Sequence, residues 1–231
     1  MGEACYGTGT TQVQCLMTEV TRIDTKKYME EPCFRRALCD VSPLRREKAE
    51  SYRFAKDRAL SLGAAVLLDG ALSGYGLREK DMTYEKEKNG KPCFPGYFPF
   101  HFSISHSGTM AVLAVSDRPV GCDIQIEKEA DIRLTERFFA PAERAYVEAA
   151  SDPGERNRRF FRCWALKESF AKALGDGLGR PMGSYAVVDE KGRALCPALF
   201  EIPYAFTEIP VPGYAFAVCA PAGDPPVLTA N

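Results

Sequence analysis

Polar and apolar positions along the chain switch between helical and alternating periods, and the switches divide it into elements. Residues 42–68 read as one long helix, opening with Ser42 at the N-cap and Pro43 at the first helical position, with a kink expected near Gly63. Charged residues and the turn signal Asn89-Gly90 follow, leading into the proline-rich Lys91-Pro92-Cys93-Phe94-Pro95. The runs 101–106 and 110–115, separated by Ser107-Gly108-Thr109, predict an antiparallel hairpin. A further run, 120–127, alternates: Cys122, Ile124 and Ile126 share one face, while Asp123, Gln125 and Glu127 share the other. Helices are predicted over 141–150 and 155–174, stopped by 175–181, and short strands over 185–188, 198–202 and 214–219.

Helix, strands, helices, strands in that order imply an α+β protein. No repeat is visible, but each half holds a long helix and several strands, which permits two similarly built lobes meeting near 117–119. The expected division is 17–117 and 118–231, preceded by a leader, 1–16, whose small polar residues predict disorder.

Composition narrows the function. Hydrophobic content of 45% and charged content of 26% are those of a soluble globular protein, expected in the cytoplasm. No apolar run approaches the roughly 20 residues that span a bilayer. The 30 basic and 31 acidic residues nearly cancel, so no overall field favours nucleic acid or an anionic membrane, and neither is expected as a partner. Nine irregularly spaced cysteines, no C-x-x-C pair and two histidines argue against structural zinc and for reduced thiols.

Candidate chemistry gathers at two places. On the helix 155–174, Cys163, Leu166, Phe170 and Leu174 fall on one arc, and Lys167 lies within it. That lysine either snorkels to a margin or meets a buried anion. Glu168 and Lys172, one turn apart at the arc's edge, form either an exposed ion pair or part of a cleft wall. Asp123 and the Gln125 carbonyl can share a magnesium ion with Glu168, provided that this helix packs across the 120–127 strand. Ser105 and His106 are strand neighbours pointing oppositely, poorly placed for proton transfer to each other but able to face a phosphate. Arg45, Arg46 and Lys48 sit in a helix's first turns, where the dipole disfavours cations, so either an anion or the interleaved Glu47 and Glu50 compensates them.

Taken in order, Ser42-Pro43 with its basic helix, Gly90-Lys91-Pro92, Phe102 through Gly108, Gly121-Cys122-Asp123-Ile124, Arg137-Phe138-Phe139 with Glu143, and Trp164 through Lys172 resemble the 4′-phosphopantetheinyl transferases of the surfactin-synthetase-activating (Sfp-like) type. The resemblance implies two pseudo-symmetric lobes in one monomer, each a small, mostly antiparallel sheet packed with a long helix, and coenzyme A with Mg2+ in the cleft between them. By that likeness Arg45, Lys48, Ser61, Lys91, Ser105, His106 and Lys172 bind coenzyme A, and Asp123, Gln125 and Glu168 bind the metal. Glu168, Lys172 and Lys167 act in catalysis, and Glu143 is a candidate supporting base. The implied reaction moves phosphopantetheine from coenzyme A to a serine of an acyl or peptidyl carrier protein, releasing adenosine 3′,5′-bisphosphate. Relatives of this type commonly carry an acid where this chain has Gln125, so one negative charge is missing. A coenzyme A or carrier-binding module weak in metal competence is the alternative.

Overall fold

A computed structural model describes residues 18–86, 90–94, 100–175, 179–223 and 225–229. The expected leader at 1–16, Asn89 and Pro95 lie outside the described residues. In chain order the elements are β1 (Glu19–Asp24), α1 (Glu31–Leu38), α2 (Pro43–Ser51), α3 (Ala55–Ser73), β2 (Glu85–Lys86), β3 (Pro92–Cys93), β4 (His101–Ser107), β5 (Met110–Ser116), β6 (Gly121–Ile126), α4 (Leu134–Phe138), α5 (Pro141–Glu148), α6 (Pro153–Leu174), β7 (Tyr204–Glu208), β8 (Tyr214–Pro221) and β9 (Val227–Leu228).

Besides the two-stranded β2-β3 ribbon, two larger sheets form, in strand orders β4-β5-β1-β9 and β6-β8-β7, and each carries one long helix. Alternation on the strands decides how they stack. Val20, Val112 and Ala114 of the first sheet meet Cys122, Ile124, Phe216 and Val218 of the second. On the opposite face of the first sheet, Ala111, Leu113 and Val115 pack beneath Leu67, Leu68 and Leu72 of α3. Beyond the second sheet, Ala217 packs with Phe160, Cys163 and Leu166 of α6. The order is therefore helix, sheet, sheet, helix, an α+β arrangement in which each apolar face has a partner. A side chain as buried as Leu68 or Phe170 contributes about 1.5–3 kcal/mol on leaving water. The last strand returns to the first sheet, with β9 parallel to β1, so the chain's end does not stay with the second lobe.

The sheets also join at their borders. β4 and β6 are each an edge strand, and they lie side by side. The backbone N–H groups of Cys122, Ile124 and Ile126 donate to the hydroxyls of Ser103, Ser105 and Ser107 at 3.0, 3.3 and 3.0 Å. Three serines at period two thus replace the carbonyls of a neighbouring strand and fix the register of one lobe against the other.

Three local expectations are corrected. The segment 42–68 is two helices, because Tyr52 and Phe54 are extended between them. Gly63 lies within α3, where it serves close packing: a Cβ there would stand 2.4 Å from Thr25 Cγ2. Neither 185–188 nor 198–202 is a strand. Val188 makes only an isolated bridge to Ala194, and the third strand of the second sheet is β7, starting just after Pro203.

Candidate functional site

The approach of α6 to β6 builds the site. Gly121 allows it: a Cβ at that position would lie 1.9 Å from the Ser169 carbonyl oxygen and 2.5 Å from the Ala173 nitrogen. Any larger residue would push the helix away from the strand. Because the backbones nearly touch, residues 168 and 172 on α6 come to the level of Asp123, two positions along β6.

Asp123 is 2% exposed. An isolated carboxylate this buried would cost several kcal/mol, and its partners offset that. Ser105 Oγ donates to Oδ1 at 2.7 Å, Lys172 Nζ donates to the same oxygen at 2.6 Å, and Gln125 Nε2 donates to Oδ2 at 2.8 Å. Lys172 also donates to the Cys122 carbonyl at 3.1 Å. Burial opposes the Lys172 charge, but Asp123, the Cys122 thiol and Glu168 outweigh it and hold its pKa above the ordinary lysine value. Burial pushes the Glu168 carboxyl up, the nearby Asp123 charge pushes it further, and Lys172 pulls it only partly back. Two carboxylates that repel across a small gap, with an amide beside them, are a hard oxygen donor set suited to a divalent cation. Among the described residues no cluster of three or more acidic, cysteine or histidine side chains exists, so a cation here would rest on Asp123, Glu168 and the Gln125 carbonyl.

Beside this carboxylate pair opens a cleft of about 470 Å³ between the lobes. Arg45 and Lys48 of α2, Ser61 of α3, Lys91, Ser105 and His106 of β4, and Lys172 of α6 all line it. Its wall is therefore rich in cations and hydroxyls contributed by both halves of the chain. Ser61 is 7% exposed, and its hydroxyl has no hydrogen-bond partner among the described residues. An unpartnered buried hydroxyl at the wall of a cavity has hydrogen-bonding capacity left for a polar ligand once its side chain turns toward it. Lys91 Nζ crosses between lobes to the Val120 and Lys172 carbonyls at 3.2 and 2.9 Å. Burial, with the charges of Lys172 and Lys48, lowers the His106 pKa and keeps its ring neutral near pH 7.

Lys167 is not brought to this cleft. It is fully buried, with Nζ 2.8 Å from Glu143 Oε2 and donating at 2.7 Å to the carbonyls of Met182 and Tyr185. Of the two alternatives for a lysine on an apolar arc, it meets a buried anion. Glu143 is likewise saturated, accepting from the backbone N–H groups of Ala140 and Val187 at 2.7 Å each. Position in the fold thus makes Lys167 and Glu143 a strut between α5, α6 and the 182–187 segment. The helical wheel could locate Lys167 in the arc but not identify its partner.

Two groups at the site carry little trace in the sequence. Glu79 sits in the charged run Arg78-Glu79-Lys80-Asp81, which looks solvated, yet it is fully buried. Tyr84, against which Arg45 stacks at 5.0 Å, lies in an irregular stretch with no periodicity. The serines of β4 did leave a signal, since a polar face on a strand flanked by apolar ones requires hydrogen-bond partners.

Comparisons with known proteins agree with the geometry. Residues 119–219 match the family described as the 4′-phosphopantetheinyl transferase superfamily. The chain is 33% identical over 211 residues to the 4′-phosphopantetheinyl transferase Sfp of Bacillus subtilis, covering 86% of this chain and 92% of that one. It is 39% identical over 157 residues to the 4′-phosphopantetheinyl transferase psf-1 of Bacillus pumilus, covering 67% and 66%. A vertebrate relative, the L-aminoadipate-semialdehyde dehydrogenase-phosphopantetheinyl transferase of Xenopus laevis, is 32% identical over 60% of this chain and 51% of its own.

Proposed function

The chain belongs to the 4′-phosphopantetheinyl transferase family, of the Sfp-like type, and from that premise we propose how its own residues carry out the transfer of phosphopantetheine from coenzyme A to a carrier-protein serine. The observation that supports the reading is that Ser105 and Lys172, two of the residues lining a cleft rich in cations and hydroxyls, both hydrogen-bond the buried Asp123, whose charge acts on Glu168.

Coenzyme A lies along the cleft, with its adenosine 3′-phosphate toward Arg45, Lys48, Ser61 and His106 and its pyrophosphate toward Lys172, Lys91 and Ser105. Asp123, Glu168 and the Gln125 carbonyl would hold Mg2+, which requires the Gln125 amide, now donating to Asp123 Oδ2, to present its oxygen instead. When bound, that cation supplies Lewis-acid charge against the pyrophosphate. Glu168, whose carboxyl is driven up by burial and by Asp123, accepts the proton of the attacking carrier serine, directly or through a water it orients. Lys172 swings from Asp123 to the pyrophosphate and stabilises the charge that develops on the leaving adenosine 3′,5′-bisphosphate. The residues that line the cleft all come from one chain, which supports a monomer of two lobes that divide near 117–119, with β9 added back to the first sheet. A cytoplasmic setting accords with the cysteines of the described residues, which are free.

The test is mass spectrometry of an apo carrier protein incubated with the enzyme, coenzyme A and Mg2+. A gain of one phosphopantetheine group and release of adenosine 3′,5′-bisphosphate are expected, both lost on chelation. Transfer that persists undiminished in chelator overturns the metal assignment. Failure across acyl and peptidyl carriers favours a binding module.

A further inference from the structure

Resting on the placement of the 3′-phosphate at Arg45 and Lys48, we propose that Glu79 is the positioning residue that presents this phosphate-binding helix, and thereby sets the enzyme's preference for coenzyme A over its 3′-dephospho form. Glu79 is fully buried in a short turn after α3, outside the residues that line the cleft, and its carboxylate faces the start of α2 and Tyr84. One carboxylate oxygen accepts from the Ser42 N–H at 2.7 Å, and the other accepts from the Ser42 hydroxyl at 2.8 Å. Ser42 is the N-cap of α2, its hydroxyl accepting from the Arg45 N–H at 3.3 Å, so Glu79 grips the end of the helix whose next turn carries Arg45 and Lys48.

The same carboxylate reaches Arg45 by a second route. Tyr84 Oη donates to Glu79 Oε1, Arg45 Nε donates to Tyr84 Oη at 3.3 Å, and Arg45 Nε lies 3.7 Å from Glu79 Oε1. The Arg45 guanidinium stacks over the Tyr84 ring. Only Nε is engaged: the two terminal nitrogens have no partner among the described residues, which leaves one edge of the guanidinium for an oxyanion. Arg45, Lys48, Gly90 and Pro92 line both the main cleft and a smaller cavity of about 460 Å³ that adjoins Tyr84. Glu79 is itself anchored, because its N–H donates to Asp69 Oδ1 at 2.9 Å while Arg78 clasps both oxygens of Asp69 at 2.9 and 2.8 Å. A rigid path therefore runs from α3 through Glu79 to the cation at the cleft mouth. A charge at Glu79 not required to hold α2 would be an unexplained cost in a site without water contact.

The experiment measures KM and kcat for coenzyme A and for 3′-dephospho-coenzyme A with Glu79→Gln, Tyr84→Phe and Arg45→Ala. Glu79→Gln is expected to raise KM for coenzyme A about tenfold, leaving kcat and the dephospho substrate within about twofold, because it weakens binding made equally in ground and transition states. Tyr84→Phe, which keeps the ring and the stacking, is expected to shift KM in the same selective way by a smaller factor, and it decides the matter if Glu79→Gln does not fold. An equal rise for both substrates, or no selective change in either variant while Arg45→Ala raises KM for coenzyme A alone, overturns the inference. If Arg45→Ala changes KM for both substrates equally or for neither, the placement of the 3′-phosphate has failed, and the role of Glu79 falls with it.

Discussion

Lys172 lies one helical turn beyond Glu168, and its ammonium closes on Asp123 Oδ1 at 2.6 Å, so a lysine bridges a carboxylate of the neighbouring sheet to the helix that carries its acidic partner. A cation already compensates the repulsion between Asp123 and Glu168. A divalent ion held by Asp123 and Glu168 would supply that compensation in its place and leave Lys172 for the substrate.

Glu168→Gln should lower kcat by at least about 100-fold, the range seen when a positioned acid–base group is lost. The side chain is half-buried and not part of the apolar core, so the melting temperature should change little. Turnover of apo carrier protein and a thermal melt on the same sample check this, and near-normal turnover would remove Glu168 from the chemistry.

Gln125→Glu restores a carboxylate beside Asp123 and should tighten Mg2+ binding by about tenfold, since each added charged oxygen ligand strengthens a hard-cation site. Calorimetric titration of the coenzyme A-free protein reads this without turnover. An unchanged isotherm would place residue 125 outside the coordination shell.

Gly121→Ala adds one methyl where α6 and β6 nearly touch. Overpacking against a backbone that cannot yield should cost about 1–3 kcal/mol in chemical denaturation and displace Glu168 and Lys172 from Asp123. Turnover measured well below the unfolding transition should therefore fall as well. Wild-type activity in a folded variant would show that the close approach does not set the site's geometry.

Lys167→Met leaves Glu143 buried without its cation and should destabilise the protein by about 3–5 kcal/mol. Adding Glu143→Gln should recover much of that loss. If Lys167 is a strut, the folded double variant keeps its kcat; loss of turnover despite recovered stability would return Lys167 to the catalytic machinery.

Acid sensitivity provides a fourth kind of measurement. Burial opposes the Asp69 charge, but the Arg78 guanidinium and the Glu79 N–H outweigh it and hold its pKa below the ordinary aspartate value. A carboxyl depressed in the folded state binds fewer protons there than in the unfolded chain. Its stabilisation is complete above the unfolded value of about 3.9 and disappears as pH falls through the lower folded one. Asp69→Asn should hence destabilise at pH 7 and lose that penalty toward pH 2, as followed by urea denaturation across the range. A pH-independent difference would show that Asp69 acts through packing alone.

Much of this architecture was legible because it is local. Alternation on β4, β5 and β6 and the periodicity of α6 specify those elements directly, and Ser42-Pro43 marks the start of α2. Arg45, Lys48, Ser105, His106 and Lys172 could be singled out because charges and polar groups stood where the element alone did not call for them, whereas Ser61 and Lys91 could be named only through the resemblance. What escaped was set by tertiary contact. The break at Tyr52 and Phe54 has no glycine or proline to announce it. Strand β7 was passed over for 198–202, a segment of comparable apolar character, because only pairing with β8 distinguishes them. The buried roles of Glu79 and Lys167 depend on partners 37 and 24 positions away, beyond the reach of any periodicity.

The three-serine seam between β4 and β6 has a further consequence. A strand border with unclaimed amide donors is an invitation to foreign chains, which can extend a sheet from one molecule into the next. Hydroxyls occupy the outward donors of Cys122, Ile124 and Ile126, and so this border offers no template for intermolecular growth. The seam that aligns the two lobes therefore also closes an open strand border, and trimming Ser103, Ser105 and Ser107 to alanine would leave three interior amide donors without partners.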